Sequence, residues 1–288
     1  MAHEDKKKQI ARELDALEHS GVSASERLAR LRRVGDLYYS IGQFQEAEEK
    51  LREFREEGVA AGRLSPTEAA TLHLQEIWCF YERGDYDGVE RRLSDLEPTL
   101  SGLPENERAS LLAETNVLNG YLSIRRGRYE DALEYCDKAF TTLQNTDDHA
   151  ALAKVHILYG HGYFRSGDLT RAREFYEDGL ASARRAADPI RLVQANINLA
   201  LVCKELGDTR RALYLLEQAN EILKNSGIYL YRGHVMLNMA VIQTHRGQLQ
   251  LADESYRNAL RIYQQTGQQN GTVLARIGIA RVHMLRGA

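Results

Sequence analysis

The chain has 288 residues, of which 43% are hydrophobic and 27% are charged, a balance that excludes both a disordered chain and a membrane-like composition. The net charge of −3, with Lys and Arg spread along the chain, gives no general attraction to nucleic acid or to an anionic membrane. Three widely separated cysteines without a CxxC pair argue against a disulfide framework or a zinc site, and they predict buried free thiols.

The first predicted element is a charged helix over residues 3–19, with Ile10, Leu14 and Leu17 on one stripe. We expect residues 1–22 to cover the first helix pair as half a repeat would, and a partly frayed leader is the alternative. Residues 1–9 have no apolar run, and no segment approaches the ~18 apolar residues of a membrane span. The sequence therefore predicts a cytoplasmic protein without a secretory signal.

From residue 23 onward the sequence repeats. A glycine recurs at spacings of 40 to 43 residues, at Gly42, Gly84, Gly127, Gly167, Gly207, Gly247 and Gly287. A small or β-branched residue lies five positions after each of the first six, at Ala47, Val89, Ala132, Ala172, Ala212 and Ala252. Another small residue usually precedes the glycine by seven, as Gly35, Gly120, Gly160, Ala200, Ala240 and Ala280 do. Two antiparallel helices joined by a short turn pack closely where side chains are small, so this pattern predicts stacked helix pairs.

Helix-start signals agree with this phase. Ser65-Pro66-Thr67-Glu68 supplies an N-cap, a first-turn proline and a capping-box glutamate, Asp188-Pro189 is similar, and Ser23 to Glu26 resembles a third start. The second copy departs from the pattern with Ile77, Val89 and Leu96 at small positions and with Gly88 inside its second helix. Its flanks, residues 58–65 and 98–104, are predicted to be the longest irregular stretches, with altered packing and mobility.

The seventh copy supplies its first helix, about residues 270–286, and its turn glycine. No partner helix follows to cover Ile277, Ile279 or Met284. Residues 23–288 are thus predicted to hold six full repeats and the first helix of a seventh. We expect the chain to be the N-terminal part of a longer protein, and a native dimer joined through the last helix is the rival account.

These motifs, quoted best by Gly-Arg-Tyr-Glu-Asp-Ala at 127–132 and Gly-Asp-Leu-Thr-Arg-Ala at 167–172, resemble tetratricopeptide repeats over roughly residues 24–288. The 40-residue period is similar to the lengthened copies of kinesin light chains and of bacterial regulators with a maltose-regulator-type sensor region. The resemblance implies an all-α, right-handed superhelical solenoid in which the first helix of each pair lines a concave groove.

Carried over by position, the resemblance implies a partner-binding groove. The candidate residues are Arg33, Asp36, Gln75, Trp78, Tyr81, Tyr121, Arg125, Lys154, His161, Arg165, Gln194, Asn198, His234, Asn238 and His245. Tyr39, Glu82 and Glu114 occupy similar positions.

Several of these candidates have two interpretations. Asn198 and Asn238 occupy the same place in adjacent copies and resemble a ladder that holds a peptide backbone; a helix-to-helix hydrogen bond is the alternative. The basic and aromatic residues of copies three and four could receive an acidic or C-terminal peptide, or form a solvated face. Trp78 could anchor a partner or belong to the core. The carboxylate clamp of chaperone-binding relatives cannot be assembled from this sequence.

Catalytic and metal-binding patterns are absent from the sequence: there is no HExxH, no phosphate-cradling loop and no activated cysteine. We therefore expect no enzyme activity, no cofactor and no metal. The predicted function is a bacterial protein- or peptide-binding scaffold in signalling, with self-association through the last helix as a further possibility. The alternative is the effector-sensing N-terminal part of a larger transcription regulator or signalling ATPase.

Overall fold

A computed structural model describes residues 2–18, 21–144, 146–226 and 228–287, and these residues form fourteen α-helices and no strand. The first helix, α1 (Ala2–Glu18), precedes six antiparallel pairs: α2 (Ala24–Ile41) with α3 (Phe44–Ala60), α4 (Pro66–Glu82) with α5 (Tyr86–Ser101), α6 (Glu105–Arg125) with α7 (Tyr129–Leu143), α8 (His149–Ser166) with α9 (Leu169–Arg185), α10 (Pro189–Glu205) with α11 (Thr209–Ser226) and α12 (Arg232–His245) with α13 (Leu249–Gln265). The unpaired α14 (Gln269–Arg286) follows. The predicted all-α solenoid of helix pairs is confirmed, although residues 1, 19, 20, 145, 227 and 288 of the predicted ranges lie outside the described residues.

The turn glycines behave as the repeat predicts. All seven have a left-handed backbone, with φ between 71° and 91°. A side chain is strained in that region, so glycine is the residue that lets the first helix stop and the chain reverse.

Small residues line seams both within and between the helix pairs. A Cβ added at Gly160 would overlap the ring of Tyr176 from the partner helix α9, and one added at Gly120 would lie 2.5 Å from a methyl group of Leu158 on α8. The large partners Tyr176 and Leu158 are fully buried. Close approach of the backbones and burial of the large side chains therefore depend on the same glycines.

The predicted helix starts are confirmed. The hydroxyl of Ser65 accepts from the Glu68 N–H at 3.2 Å, and the Glu68 carboxylate accepts from the Ser65 N–H at 2.8 Å. Asp188 accepts from two N–H groups of the first turn of α10, at 3.0 Å each. These caps satisfy N–H groups that have no partner inside the helix.

The two ends of the array differ. At the front, Ile10 is buried, and with Leu14 and Leu17 it packs on α2, while Glu13 accepts from Arg33 at 2.6 Å. At the back, Ile277 and Met284 are exposed by 60% and 79%, whereas Ile279 is partly buried against α13 and is not the open residue that was expected. The outer face of α14 is thus apolar and uncovered among the described residues.

The second pair corrects two expectations. Gly88 lies in the first turn of α5 at a place where a Cβ would meet Phe80 and Asp85 at 2.6 Å, so glycine is required by a close approach. Residues 98–101 are helical and not irregular, because burial of Leu96 and Leu100 holds the last turn despite Pro98. A cleft of about 610 Å³ lies between α5 and α6, and the expected mobility of this pair stays a prediction.

The solenoid closes on itself. The segment between α11 and α12, residues 228–231, reaches across to the first pair, and we call it the strap. The Tyr229 N–H donates to the Ser40 carbonyl oxygen at 3.3 Å, and Leu230 is buried with Phe44, Leu72 and Cys79. The first and sixth pairs are therefore linked through the strap.

Candidate functional site: the concave channel

The first helices of successive pairs contribute side chains to one central channel, which the strap divides into cavities. The cavity nearer the N-terminal ends of these helices has a volume of about 310 Å³, and we call it the chamber. It is lined by Asp36, Tyr39, Ser40, Leu51, Thr71, Gln75, Trp78, Glu114, Lys154, Ile190, Arg191, Ile228 and Leu230. On the other side of the strap a second cavity of about 550 Å³ includes Tyr81, Glu82, Arg125, Tyr231 and His234.

One charged pair in the chamber, Glu114 with Lys154, is held by direct hydrogen bonds. Glu114 accepts from the Lys154 ammonium and from the Trp78 indole N–H, at 2.6 Å each. Burial opposes ionisation of Glu114, but Lys154 and Trp78 hold the pKa of this carboxyl below its usual value. Lys154 and Glu114 therefore neutralise each other inside the protein.

Aromatic rings separate the chamber from the cavities beyond it. The centroids of Trp78, Tyr81 and Tyr121 lie 5.4 to 5.7 Å apart, in tilted or edge-to-face arrangements. Arg125 donates to the Tyr81 hydroxyl at 3.3 Å. Burial raises the pKa of Tyr81 to about 12, so its hydroxyl is protonated at neutral pH.

His161 connects the channel to the seams. Its Nδ1 lies 3.0 Å from the Tyr176 hydroxyl, and its Nε2 lies 3.5 Å from the side-chain nitrogen of Asn198. Burial lowers the pKa of His161 to about 4, with Arg125 and Arg165 adding to the effect. A neutral imidazole is therefore part of the hydrogen-bonded structure between α8, α9 and α10.

Arg191 has a neutral hydrogen-bond partner and, within the part of the chain that the structure describes, no ion pair. Its Nη1 donates to the Gln194 side-chain oxygen at 2.6 Å, and Gln194 in turn donates to the Tyr231 hydroxyl at 2.6 Å. The guanidinium carbon lies 5.8 Å from the centre of the Trp78 ring. Among the described residues, no carboxylate lies within 4.0 Å of this guanidinium, and its buried Nε has no hydrogen-bond partner. The side-chain oxygen of Gln75, also in the chamber wall, is likewise buried without a partner.

The structure brings most of the predicted groove residues together. Asp36, Gln75, Trp78 and Lys154 line the chamber, while the cavities beyond the strap take Tyr81, Tyr121, Arg125, His161, Arg165 and His234. Gln194 donates to the hydroxyl of Tyr231 in the strap, and so it lies between the chamber and the cavities beyond the strap.

Four predicted residues are placed differently. Arg33 pairs with Glu13 of α1, because the covering helix lies against this part of α2. Asn238 donates to the His234 carbonyl of its own helix at 3.0 Å, whereas Asn198 has the helix-to-helix contact with His161. His245 is exposed at the end of α12. The two asparagines thus differ in their contacts, and the ladder stays a prediction.

Sequence reasoning missed Arg191 and the strap. Arg191 belongs to the first turn of α10, before the positions that repeat in phase. The strap is an inter-repeat loop, and the signal available for it was its apolar and aromatic run, Ile-Tyr-Leu-Tyr at 228–231.

Comparison with known proteins identifies the repeats. Residues 111–185 match the family model for the tetratricopeptide repeat. In this range the chain is similar to tetratricopeptide repeats. It is 23% identical over 267 residues to the kinesin light chain-related protein 1 of Arabidopsis thaliana, a match that covers 88% of this chain. The chain spans 43% of the length of that relative.

Solved tetratricopeptide structures share the fold at low sequence identity. A signal transduction ATPase with a tetratricopeptide repeat sensor from Pyrococcus horikoshii has a TM-score of 0.65 at 12% identity, covering 98% of this chain and 43% of its own. The Rap conjugation gene regulator of plasmid pLS20, in complex with the Phr* peptide, has a TM-score of 0.64 at 13% identity. The match covers 91% of this chain and 76% of the regulator. A Rap protein complexed with competence and sporulation factor has a TM-score of 0.63 at 15% identity, and the match covers 91% of this chain and 72% of the Rap chain.

The remaining chemistry-bearing residues of the chain are buried or dispersed. Cys79, Cys136 and Cys203 are buried free thiols, as predicted, and burial raises the pKa of each. The described residues contain no cluster of three His, Cys, Asp or Glu side chains that could hold a metal ion. None of the described helices is long and apolar enough to cross a membrane.

Proposed function

We propose that this chain is a non-catalytic, regulatory binding module whose central channel takes a peptide segment of a partner protein. The observation that supports the proposal is the concentration of aromatic, charged and partly unpaired side chains around Trp78, in a fold whose convex seams are apolar and tightly packed. Enclosed sites with a few convergent polar groups are typical of ligand-binding pockets. The peptide complex of the Rap regulator supports the same reading by analogy of fold.

A second candidate function is that of an effector sensor within a larger transcription regulator or signalling ATPase. The chamber volume of about 310 Å³ suits a compact ligand better than a long segment. The fold likeness to the ATPase with a tetratricopeptide repeat sensor supports this alternative.

Trp78 provides the test, because it is the single tryptophan of the chain. Its emission reports on the channel when a positional-scanning hexapeptide library is titrated pool by pool. The expected result is a saturable change with some pools that is lost when Tyr121 is replaced by Ala. The control is the double variant Trp78→Phe with Tyr214→Trp, which moves the reporter to an exposed position on α11. A response at position 214 alone, or no saturable response in any pool, would contradict peptide binding in the channel.

Self-association through α14 stays a proposal of its own. Its exposed apolar face, which includes Val273 and Ile277, would be the interface. Sedimentation velocity of the wild type against Ile277→Asp tests it: a monomer in both cases contradicts the proposal.

A further inference from the structure

The chamber contains a guanidinium group, that of Arg191, which forms no ion pair with the described residues. Three cations, Arg125, Lys154 and Arg191, lie around the aromatic rings that separate the chamber from the other cavities. Lys154 is paired with Glu114, and Arg125 donates to the Tyr81 hydroxyl. Arg191 has a neutral partner, Gln194, and no carboxylate within ion-pair distance among the described residues. A buried cation without a counter-ion is costly, so such a group is retained for a reason other than stability.

The second carboxylate near Arg191 is also engaged elsewhere. The Tyr231 hydroxyl donates to Glu82, and burial raises the pKa of this carboxyl. Glu82, Glu114 and Asp188 all act on Arg191 electrostatically, and Asp36 also lines the chamber, but none of these carboxylates forms an ion pair with Arg191. An anionic ligand would supply the direct partner that the guanidinium lacks.

The walls of the chamber define the rest of the ligand. Arg191 offers a buried Nε donor, and Gln75 offers a buried acceptor oxygen, and neither atom has a partner. The apolar surfaces of Leu51, Ile190, Ile228 and Leu230 surround them. A volume of about 310 Å³ lies at the lower end of the range for compact ligands.

We infer that the chamber binds a carboxylate attached to a small apolar body, with the carboxylate on Arg191. The guanidinium fork matches a carboxylate in a charge-assisted hydrogen bond. An N–H donor next to the carboxylate, as at the C-terminus of a peptide, would reach the free oxygen of Gln75. A free aliphatic acid shares the carboxylate and the apolar body but lacks this N–H. The inference rests on the proposed function and specifies which chemical group the channel recognises.

The probes are N-acetylleucine, its primary amide and 4-methylpentanoate, titrated while Trp78 emission is followed. Probes of this size are expected to bind with a Kd in the millimolar range. N-acetylleucine is expected to bind at least about tenfold more tightly than its amide, because only the acid carries the charge that Arg191 requires. Arg191→Met should reduce that ratio to about one. Arg210→Met, which removes an exposed cation on α11, should leave the ratio unchanged.

A readout of stability separates binding from a structural role. Arg191→Met should keep or raise the Tm of the free protein, since it removes an unpaired buried charge. N-acetylleucine should raise the Tm of the wild type but not of Arg191→Met.

The source of the carboxylate is distinguished by Gln75→Leu. If the ligand is a peptide end, N-acetylleucine binds the wild type more tightly than 4-methylpentanoate, and Gln75→Leu removes that difference. Equal binding of the two acids by the wild type assigns the chamber to a free aliphatic acid.

Equal binding of acid and amide, an acid preference that survives Arg191→Met, or no response to any probe would overturn the inference. If hexapeptide pools still change Trp78 emission in that case, the proposed function stands without it. If neither the peptide pools nor the probes change Trp78 emission, both the proposed function and the inference are wrong.

Discussion

The two faces of α8 are built on different principles. On the seam side, Gly160 allows the ring of Tyr176 to pack against the backbone, and the contact is apolar and local to one pair. On the channel side, Lys154 donates to Glu114 of α6. His161 contacts the Tyr176 hydroxyl of α9 and the Asn198 side chain of α10. The seam side is therefore specified by shape, whereas the channel side is specified by polar partners from several repeats.

The largest effect should come from the channel side. Lys154→Met leaves Glu114 buried without its cation, so the free energy of unfolding at pH 7 should fall by about 3–5 kcal/mol in urea titrations. Because the paired Glu114 has a lowered pKa, the contribution of the pair is present at neutral pH and is lost as the pH falls below the usual carboxyl range. The difference between wild type and variant should therefore narrow in acid. Lys138→Met, on exposed α7 surface, should change stability by no more than about 0.5 kcal/mol. If Lys138→Met lowers the free energy of unfolding as much as Lys154→Met does, the buried ion pair between Glu114 and Lys154 is contradicted.

On the seam side, Gly160→Ala tests packing by shape. The added methyl group overlaps Tyr176, which should lower the free energy of unfolding by about 1–3 kcal/mol. Gly207→Ala is the matched control, because nothing lies within 4 Å of its Cβ position and only its left-handed backbone, with φ of 84°, is strained. That strain is worth about 1 kcal/mol. If Gly160→Ala costs less than Gly207→Ala, the seam is looser than the structure indicates.

A smaller effect is expected where the two faces meet, at His161. Burial lowers its pKa from 6.5 to about 4, so the unfolded chain binds the proton more readily than the folded one. Its contribution to stability is complete above pH 6.5 and is lost as the pH falls toward 4. After allowance for its partial exposure, the loss between pH 7 and pH 5 is roughly 1 kcal/mol. His161→Phe should remove that part of the pH dependence, and parallel pH profiles for the two proteins would contradict the assignment.

The same contrast explains how far the sequence could be interpreted. Seam positions such as Gly160 and turn glycines such as Gly207 follow from local periodicity, because each helix pair repeats the same contacts. The resemblance to tetratricopeptide repeats also implies that Trp78 and Lys154 face the groove. It cannot predict that residues 228–231 cross the channel to the first pair, since that contact depends on the accumulated curvature of five repeats. Arg191 was missed for the same reason, because its unpaired state depends on partners from other repeats.

Closure by the strap is the feature on which the chamber depends, and a cross-link tests it most directly. The Tyr229 N–H donates to the Ser40 carbonyl oxygen at 3.3 Å, so cysteines at these two positions would stand on neighbouring backbones. Cys79 packs in the same cluster as Leu230 of the strap, so the test uses a Cys79→Ala background, in which the remaining native cysteines, Cys136 and Cys203, are buried. Under mild oxidation, Ser40→Cys with Tyr229→Cys is predicted to form an intramolecular disulfide rapidly and nearly completely, whereas Ser40→Cys with Tyr214→Cys should not. Equal and slow cross-linking of the two pairs would contradict a closed channel.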